Sequence, residues 1–492
     1  MSGEELPEGW AEVRVADVCA VNPRDGHLDD EVEVTFVPMA AVSEVTGTIE
    51  RPEVRKTQDV RKGFTSFVDE DVIFAKITPC MENGKSAVAT GLLNGRGYGS
   101  TEFVVLRSKG GINPSFLHRF VRQDAYRREA RGTMQSGVGQ ARVPKEFIEN
   151  TTLMLPPLPE QKRIVARLDA LQARSRAARE ALAEVPALLD TFRQSMLAAA
   201  FRGDLTAEWR AKNPDVEPAS KLLERIRAER KTRWEKANPK KKYVEPEPVD
   251  DSELPELPEG WAWASGEVVT TMITDGTHQP PPRTDAGVPF IGITDVVGGH
   301  VDWRSVSKWV SDETHRLLTA NGRLPVPGDV LYTTVGATYG TAFPVPDARK
   351  FVFQRHIAHL RPIGAVLSNF LLHQMNGPQC FDQAKRGARG GAQPTVNLGV
   401  LREMRLAVCG RAEQQEIVRL VDHALANLAS WADVSREAGK ALDTLDQSIL
   451  ARAFRGELVD QDPNDEPAEV LLARIRHGGD AAPARGRARR TG

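Results

Sequence analysis

Apolar and small side chains recur every three or four residues along the stretch 160–203. The positions that follow this spacing are Ile164, Leu168, Leu171, Ala178, Leu182, Val185, Leu189, Phe192 and Met196, with a gap at Ser175. This spacing is typical of a helix packed lengthwise against another helix. Such a helix would be about 65 Å long, which is longer than the helices of ordinary globular domains. The pattern therefore predicts a long helix that needs a helical partner.

The same chain supplies that partner, because the pattern returns 253 residues later. The repeated positions are Ile417, Val421, Ala424, Leu428, Trp431, Ala438, Leu442, Leu445 and Ile449. Residues 188–205 and 441–458 are identical at 12 of 18 positions. Chance similarity between two Ala/Leu-rich helices would explain the apolar spacing, but not the shared DT, QS and AFRG. We therefore predict two long helices that arose by internal duplication.

The duplication extends beyond the helices. LPEGW occurs at 6–10 and again at 257–261, and EPASKLLERIR at 217–227 is matched by EPAEVLLARIR at 466–476. The two globular blocks between these repeats differ strongly from each other. The predicted boundaries are a first globular domain at 6–156, a first long helix at 157–203, a connector with a short basic helix at 204–256, a second globular domain at 257–410, a second long helix at 411–456, a short helical segment at 457–477 and a disordered basic tail at 478–492.

Each globular block combines strands and helices, so the predicted fold class is α+β. Strands are predicted where β-branched and aromatic residues concentrate: EVTFVPMAAV, DVIFAKI and EFVVLRS in the first block, and VPFIGITDV, DVLYTTV and FVFQRHIAHLRP in the second. A helical pattern follows the strands, at 113–132 with a proline near its start and at 368–387. A polar, glycine-rich loop comes next, at 132–147 and at 387–401.

Pro186 interrupts the first long helical pattern, and its repeat partner is Gly439. A proline in a helix interior removes a backbone donor and costs about 3 kcal/mol, and a glycine costs about 1 kcal/mol. Both residues lie near the middle of their helices, where an antiparallel pair would face each other. The expectation is a kink or short break at residues 184–187 opposite a weakened turn near Gly439.

Composition narrows the class of protein. The chain has 492 residues and a formal net charge of −2, so a nucleic-acid binder of this kind would have to concentrate its basic residues locally. The four cysteines form no CxxC pair, which argues against a zinc site or a disulfide framework. Neither a signal peptide nor a run of 18 apolar residues is apparent. The composition favours a soluble cytoplasmic protein with no membrane partner.

Most catalytic motifs are missing from the sequence. Gly84-Lys85-Ser86 lacks the earlier glycine of a phosphate-binding loop, no G-x-G-x-x-G follows a strand, and no Asn-Pro-Pro-aromatic segment occurs. A weak nuclease pattern places Glu229 and Lys231 two apart on a predicted helix, where they cannot share a face. His356 and His359 are three apart in a strand-like run, so packing is a better interpretation than a metal site.

The distribution of basic residues indicates a nucleic-acid-binding function. Residues 118–145 carry seven Arg and Lys against Asp124 and Glu129, an excess of five positive charges beside the first polar loop. The stretch 379–405 repeats the pattern more weakly. Basic side chains next to a Gly/Gln/Ser/Thr loop suit phosphate neutralisation together with contact to base edges. A merely solvated helix face is the alternative, and recurrence in both halves makes it less attractive.

The chain resembles the DNA specificity subunit of Type I restriction–modification systems over nearly its whole length. The resemblance rests on LPPLPEQKRIVARLD at 155–169, DVIFAKITPCMENGK at 71–85, ITDGTH at 273–278, GVPFIGITDV at 287–296, and the duplicated AFRGDL and AFRGEL. It implies two target-recognition domains, each reading one half of a bipartite double-stranded DNA site. It also implies that the long helices form an antiparallel coiled coil with pseudo-two-fold symmetry, which sets the distance between the half-sites.

The resemblance further implies a subunit without catalytic activity or cofactor of its own. Its expected partners are two modification subunits, which methylate adenine with S-adenosylmethionine, and restriction subunits, which use ATP and magnesium. Two alternatives stay open at this point. One is a self-contained methyltransferase or nuclease, which the missing motifs disfavour, and the other is an assembly scaffold without sequence preference in DNA binding.

Candidate DNA-contacting residues lie in the polar loops of each block. For the first DNA surface we predict Lys76, Thr78, Lys85, Gln140, Arg142 and Lys145. For the second we predict Thr277, His278, Thr334, Tyr339, Arg389, Gln393, Thr395 and Asn397.

Overall fold

A computed structural model describes residues 6–26, 28–134, 140–320, 322–336, 338–390 and 394–477. Contacts divide the chain into two units. The first unit combines residues up to Ala183 with residues from Arg436 onward, and the second unit runs from Glu184 to Ser435. Each unit therefore contains one globular block and one end of each long helix. The basic tail predicted at 478–492 and the central part of the first polar loop, 135–139, lie outside the described residues.

The described residues of the first unit form two four-stranded sheets and one two-stranded sheet, together with short helices. Its strands are Ala11–Arg14, Cys19–Val21, Glu33–Val37, Glu53–Lys56, Thr65–Val68, Val72–Ala75, Ser86–Val88, Arg96–Gly99, Phe103–Ser108 and Thr152–Leu155. Its shorter helices are Val15–Val18, Thr57–Val60, Pro114–Val121, Asp124–Thr133, Lys145–Asn150 and Ala468–Arg476, with 3-10 turns at Met39–Ala41 and Leu93–Gly95. In one sheet Phe103–Ser108 lies antiparallel between Cys19–Val21 and Val72–Ala75.

The second unit has a related arrangement. Its strands are Ala262–Ser265, Thr270–Asp275, Val288–Ile291, Val296–Val297, His300–Val301, Trp309–Val310, Val330–Thr333, Ala342–Pro344, Val352–Phe353, Ile357–Pro362 and Arg405–Val408. Its shorter helices are Ala207–Lys212, Ala219–Ala237, Gly266–Val269, Asp312–Leu318, Ser368–Met375, Pro378–Gly387 and Leu398–Glu403, with a 3-10 turn at Ile293–Asp295. Ile357–Pro362 lies antiparallel between Thr270–Asp275 and Val330–Thr333, as its counterpart does in the first unit.

A strand lies in each predicted strand segment, but FVFQRHIAHLRP forms two short strands of different sheets, Val352–Phe353 and Ile357–Pro362, and EVTFVPMAAV ends in a 3-10 turn. Each predicted helix after the strands is two helices. Residues 113–132 form Pro114–Val121 and Asp124–Thr133, and residues 368–387 form Ser368–Met375 and Pro378–Gly387. The chain leaves the helix at Gln123 and at Gly377, whose backbones are extended. Apolar spacing continues across both interruptions, which is why the pattern alone predicts one helix.

The long helices run from Leu158 to Arg202 and from Arg411 to Ala453. Of the kink or short break expected at residues 184–187, the break is wrong, because the first long helix continues unbroken through Pro186, and the kink stays a prediction. Pro186 is exposed, so water can hydrogen-bond the carbonyl that its missing N–H leaves free. The helix contains more than forty other residues. Their hydrogen bonding and packing outweigh the local free-energy cost of one proline.

The predicted seam is buried at the outer ends of the helices and mostly half-buried closer to their middles. Ile164 and Leu168 are fully buried in the first unit, and Ile417 and Val421 in the second. In the first unit Ser175 Oγ donates to Asp446 Oδ1 at 2.7 Å, and Arg179 bonds Asp443 and Asp446. Residue numbers thus rise along one helix as they fall along the other, so the helices run antiparallel in this unit.

The repeated sequence motifs meet one another inside each unit. A Cβ on Gly456, of the second AFRG, would lie 2.6 Å from Pro7 of the first LPEGW, and a Cβ on Gly203 would lie 2.4 Å from Pro258. Both glycines have positive φ, at +76° and +83°, and follow the end of a long helix. Glycine is the residue that fits a left-handed backbone in so close an approach. The AFRG of one repeat therefore packs on the LPEGW of the other.

A second pair of contacts ties each globular block to the start of a long helix. The Trp10 indole N–H lies 3.1 Å from both carboxylate oxygens of Glu160, and the Trp261 indole donates to Glu413 at 2.9 Å. Both carboxylates are almost fully buried. Arg210 also bonds Glu413 at 2.6 Å. These contacts account for the Trp of LPEGW and for the Glu-Gln at the start of each long helix.

Candidate nucleic-acid interface

The first polar edge forms where the strand Val72–Ala75 ends. The Lys76 amide donates to the Glu102 carbonyl at 2.9 Å, and the Val143 amide donates to the Lys76 carbonyl at 2.9 Å. Ile77 and Arg142 then form an antiparallel bridge. We call this group the first loop edge, comprising residues 76–78, 101–102 and 140–143. It brings together the predicted residues Lys76, Thr78, Gln140 and Arg142.

Side chains on the first loop edge are oriented by hydrogen bonds. The Arg142 guanidinium bonds both carboxylate oxygens of Glu102, with a closest approach of 2.8 Å. Lys76 Nζ donates to the Thr101 carbonyl, and Thr78 Oγ1 accepts from the Ala141 amide. The hydrogen bond from Arg142 lowers the pKa of Glu102 although partial burial opposes the shift. The edge thus carries a fixed ion pair beside polar backbone groups.

Two predicted lysines have other contacts. Lys85 Nζ donates to the carbonyls of Met39 and Val42 at 3.4 and 3.2 Å. Lys145 begins the helix Lys145–Asn150 and pairs with Glu149 at 3.0 Å. Lys85 is therefore used inside the fold, while Lys145 remains largely exposed, with 61% of its side chain accessible.

Most of the basic residues at 118–145 form hydrogen bonds or ion pairs within the first unit. Arg122 is mostly buried and donates to three backbone carbonyls, those of Gly84, Glu44 and Val45. Burial lowers the pKa of Arg122 to about 10, assisted by the nearby charges of Arg119 and Arg127. Arg119 pairs with Asp169 of the first long helix at 2.6 Å. These arginines hold loops and helices together, so the charge excess alone does not mark a phosphate-binding face.

The second loop edge repeats the backbone arrangement of the first. The Thr334 amide donates to the His356 carbonyl at 2.9 Å, the Val396 amide donates to the Thr334 carbonyl at 2.9 Å, and Val335 bridges Thr395. We define it as residues 334–335, 355–356 and 395–396. Thr395 occupies the position that Arg142 has in the first loop edge, and His356 occupies the position of Glu102.

Other predicted residues surround the second loop edge. The Thr277 amide donates to the Phe353 carbonyl at 3.0 Å, and the exposed His278 ring bonds Asp275 at 2.8 Å. Tyr339 stacks on Phe381 with ring centroids 5.6 Å apart. Thr334 itself is buried, so its backbone rather than its hydroxyl shapes the edge.

The described residues of the second polar loop are held by hydrogen bonds. Arg389 and Thr395 exchange backbone hydrogen bonds at 3.0 and 2.9 Å. Asn397 caps the helix Leu398–Glu403 by accepting from the Val400 amide at 3.1 Å. Gln393, the remaining predicted residue, lies outside the described residues.

The sequence analysis missed two residues on these edges, Glu102 and Arg355. Arg355 is exposed, its amide donates to the Thr277 carbonyl, and its Nε donates to His356 Nε2 at 3.3 Å. Glu102 begins the predicted strand EFVVLRS, whereas Arg355 lies inside the predicted strand FVFQRHIAHLRP. In the structure each of them shortly precedes a buried strand, Phe103–Ser108 or Ile357–Pro362, and a charged residue at that position is the signal that the sequence offers.

Two of the residues weighed as metal or nuclease candidates have structural partners. Within them no group of three or more His, Cys, Asp or Glu side chains could hold a metal ion. His359 is buried against Asp329 at 2.6 Å, which fits the packing interpretation. Glu229, from the weak nuclease pattern, pairs with Arg233 on the helix Ala219–Ala237. Among the same residues, none of the helices combines the length and apolar character needed to cross a membrane.

The fold and the two edges define a class of protein: a duplicated α+β protein whose two domains present different side chains on the same backbone frame. Residues 7–187 match the family described as Type I restriction modification DNA specificity domain. The chain is 34% identical over 504 residues to the Type I restriction enzyme EcoKI specificity subunit of Escherichia coli strain K12, covering 97% of each chain. The chain belongs to the specificity subunits of Type I restriction–modification systems. Its function is that of the specificity subunit in such a system.

Two further comparisons agree. The chain is 28% identical over 465 residues to the EcoAI specificity subunit of Escherichia coli, covering 85% of this chain and 78% of that one. The crystal structure of the HsdS subunit from Thermoanaerobacter tengcongensis matches with a TM-score of 0.60 at 24% identity, covering 93% of this chain and 99% of that one. The structural match supports the α+β fold with its long helices.

Proposed function

We propose that this specificity subunit reads a bipartite double-stranded DNA target, with one half-site contacted by each loop edge. The observation that carries this proposal is the recurrence of one backbone frame with different side chains. Arg142 and Glu102 occupy one frame, and Thr395 and His356 occupy the other. Two readers with unlike chemistry suit two unlike half-sites, since bases are distinguished by their donor and acceptor patterns.

The proposed contacts follow from the edges. In the first unit they are Lys76, Thr78, Gln140, Arg142 and Lys145, and in the second unit Thr277, His278, Tyr339, Arg389, Thr395 and Asn397, with Gln393 included on sequence grounds alone. Lys85 and Thr334 are left out because Lys85 is bonded inside the fold and Thr334 is buried.

The long helices are proposed to form an antiparallel coiled coil with pseudo-two-fold symmetry that fixes the gap between half-sites. The antiparallel contacts of the first unit support the coiled coil. The matching Trp–Glu and Gly–Pro contacts of the two units support the symmetry. A two-fold arrangement would complement the antiparallel strands of DNA.

Exchange of the first recognition domain tests the bipartite proposal. Residues 6–156 would be replaced by the corresponding block of a different specificity subunit, and methylated adenines in the host genome mapped by single-molecule sequencing. One half-site of the motif should change while the other half-site and the gap stay the same. A change in both half-sites would contradict modular reading.

Partner subunits are proposed to supply the chemistry. Two modification subunits would methylate adenine using S-adenosylmethionine, and restriction subunits using ATP and magnesium would join them, with the assembly acting in the cytoplasm. Exposed apolar side chains on the long helices support a docking face: Leu188 and Phe192 on the first, and Trp431 and Val434 on the second, each more than half exposed. The AFRG segments and the short helices are proposed to contribute as well.

Native mass spectrometry tests the stoichiometry. The complex with the modification subunit should contain two copies of that subunit for each copy of this chain. Replacing Phe192 and Trp431 with serine should release modification subunits. The control is Lys162→Ser, because Lys162 is an exposed polar residue near the buried start of the first long helix, and this change should not release them. A one-to-one complex as the only stable assembly would count against the proposal.

The enzyme alternative has its own test. A self-contained methyltransferase would bind S-adenosylmethionine as an isolated chain, which isothermal titration calorimetry would detect. We expect no binding, because the catalytic motifs of such enzymes are missing from the sequence.

A further inference from the structure

The ion pair on the first loop edge uses only one side of the Arg142 guanidinium. Nε and Nη2 donate to Glu102 at distances between 2.8 and 3.2 Å, and Nη1 lies 3.4 Å from the Gln140 carbonyl. A guanidinium has five N–H bonds in a fixed plane. The side-on pair to Glu102 and the contact to Gln140 leave one N–H on Nη1 and one on Nη2. The end of the guanidinium carries one N–H of Nη1 and one of Nη2, which point in parallel, and neither of these directions is used by the side-on pair of Nε and Nη2 with Glu102.

That remaining fork matches the acceptors of a guanine. Guanine presents O6 and N7 in the major groove, and a bidentate arginine is the most common specific contact to them. About half of the Arg142 side chain, 52%, is exposed. A phosphate is a poorer partner here, because the Glu102 carboxylate, at 2.8 Å from Nη2, would repel it.

The pair is not needed to hold the backbone of the edge. In the second unit Val335 bridges Thr395, and Thr334 donates to His356, with the same backbone pattern. Threonine and histidine occupy the two positions there, so the frame forms without an arginine–carboxylate pair. A purely structural ion pair would be expected at both edges.

The geometry points to Arg142 as a guanine-reading residue of the first half-site, and to Glu102 as the residue that positions it. This inference rests on the proposed function, in which the first loop edge contacts bases. Glu102 acts by holding the long arginine side chain in one orientation before DNA arrives. Such preorganisation removes part of the entropy cost of fixing the side chain on binding.

Methylation by the complex of this chain with its modification subunits provides the test. Rates would be compared on oligonucleotides that carry every base in turn at each position of the first half-site. Arg142→Ala should reduce discrimination about 10- to 100-fold at one guanine only. Glu102→Ala should reduce it about 2- to 10-fold at the same guanine. Glu102→Gln, which keeps an amide oxygen as acceptor, should retain part of the discrimination.

The matched control is Asp17→Asn. Arg14 and Asp17 form the same kind of two-bond pair, with 58% and 23% of their side chains exposed against 52% and 22% for Arg142 and Glu102. The pair lies on the short helix Val15–Val18, outside the loop edge. Asp17→Asn should leave discrimination unchanged at every position of both half-sites.

Three results would overturn the inference. Arg142→Ala could lower the rate equally on all sequences, as a phosphate contact would, or leave discrimination unchanged. Glu102→Ala could alter positions other than the guanine that depends on Arg142. If the proposed function itself is wrong, the unmodified chain will show no bipartite motif at all, which separates that failure from these. Equal melting temperatures of the Glu102→Gln variant and the unmodified chain would establish that the edge is folded.

Discussion

Asp329 shows how a buried acid fixes the strand that carries the second loop edge. Its side chain is almost fully buried and accepts from His359 at 2.6 Å, from Arg361 at 2.8 Å and from the Val326 amide at 2.9 Å. Burial by itself would raise the pKa of Asp329, but the hydrogen bonds from Arg361, His359 and Val326 outweigh it and hold the pKa at about 2. In the first unit Asp71 and Arg107 form the matching contact at 2.7 Å.

The depressed pKa of Asp329 predicts a dependence of stability on pH. Because the folded state holds the pKa below its ordinary value of 3.8, ionised Asp329 stabilises the second unit above about pH 4, and this contribution is lost as the pH falls towards 2. The whole contribution is about 2 kcal/mol, and about 1 kcal/mol should disappear between pH 5 and pH 3. The advantage of the unmodified chain over Asp329→Asn in urea unfolding should shrink by that amount.

The measurement would follow peptides from residues 326–362 by mass spectrometry during urea titration. Asp347→Asn is the control, because about half of the Asp347 side chain is exposed. The Asp347→Asn variant reports the effect of replacing an exposed aspartate under the same conditions. A constant difference for Asp329→Asn would show that its hydrogen bonds do not favour the ionised form.

Individual residues were the hardest part of the structure to predict. The sequence shows seven basic residues at 118–145, but not that Arg122 turns inward to three carbonyls or that Arg119 pairs with Asp169. Conversely, Arg142 was found because it follows the polar loop, while its partner Glu102 lies 40 residues away. Such pairings depend on which strand ends meet, and residue spacing carries no direct information about that.

At the scale of the element, Pro186 is the clearest departure from a local rule. The first long helix continues through it, so the variant Pro186→Ala should gain a backbone hydrogen bond without any change of path. We expect the free energy of unfolding to rise by about 1–3 kcal/mol. Thermal melting followed by circular dichroism would show it, and the gap between half-sites should stay the same.

Gly439→Ala in the second long helix serves as the comparison. A Cβ at Gly439 would meet no other atom within 4 Å, so the substitution should add about 1 kcal/mol through helix propensity alone. A melting temperature that falls in Pro186→Ala would mean that the proline ring makes contacts worth more than the missing hydrogen bond.

Strands and long helices were predictable because each has a strong period and clear ends. The long helices begin and end within about three residues of the predicted bounds, and the motifs AFRG and LPEGW were recognised as recurrent. The interruptions at Gln123 and Gly377 were not predicted, because the apolar spacing continues across them. The continuity at Pro186 was missed for the opposite reason, since the local penalty was visible and the packing along the rest of the helix was not.

The helix Ala468–Arg476 is packed into the hydrophobic core of the first unit. The Ala468 amide donates to the Gly9 carbonyl at 2.9 Å, and Leu472 is buried in the same core as Trp10 and Phe116. Leu472→Ala should destabilise the first unit by about 2–5 kcal/mol. Val470→Ala on the same helix should have little effect, because Val470 is 46% exposed.

Hydrogen exchange measured by mass spectrometry would locate the effect of Leu472→Ala. Faster exchange is expected in peptides of residues 6–156 and not in peptides of residues 257–410. Equal acceleration in both blocks would contradict the assignment of this helix to the first unit.

At the scale of the whole molecule, duplication makes a prediction about target symmetry. Each unit holds its globular block by the same Trp–Glu and Gly–Pro contacts. A chain in which residues 257–410 are replaced by a second copy of 6–156 should therefore fold, and should direct methylation to two inverted copies of the first half-site with the original gap.

Genome sequencing of methylated adenines would check that outcome. A direct repeat in place of an inverted one would rule out two-fold symmetry between the domains. The methylation motif of the unmodified chain is the reference for the gap length.

The first unit is built from two separate segments of the chain, and this has a consequence for its synthesis on the ribosome. The second unit is one continuous segment, 184–435, and can close as soon as that segment has emerged. The first unit needs residues from Arg436 onward, so its earlier part must wait for about 280 more residues. At roughly 5–20 residues per second this delay lasts roughly 15–60 s. During that time Phe116 and Phe120 lack their aromatic contact with Phe454, which lies in the later segment. The domain made first is therefore the one completed last.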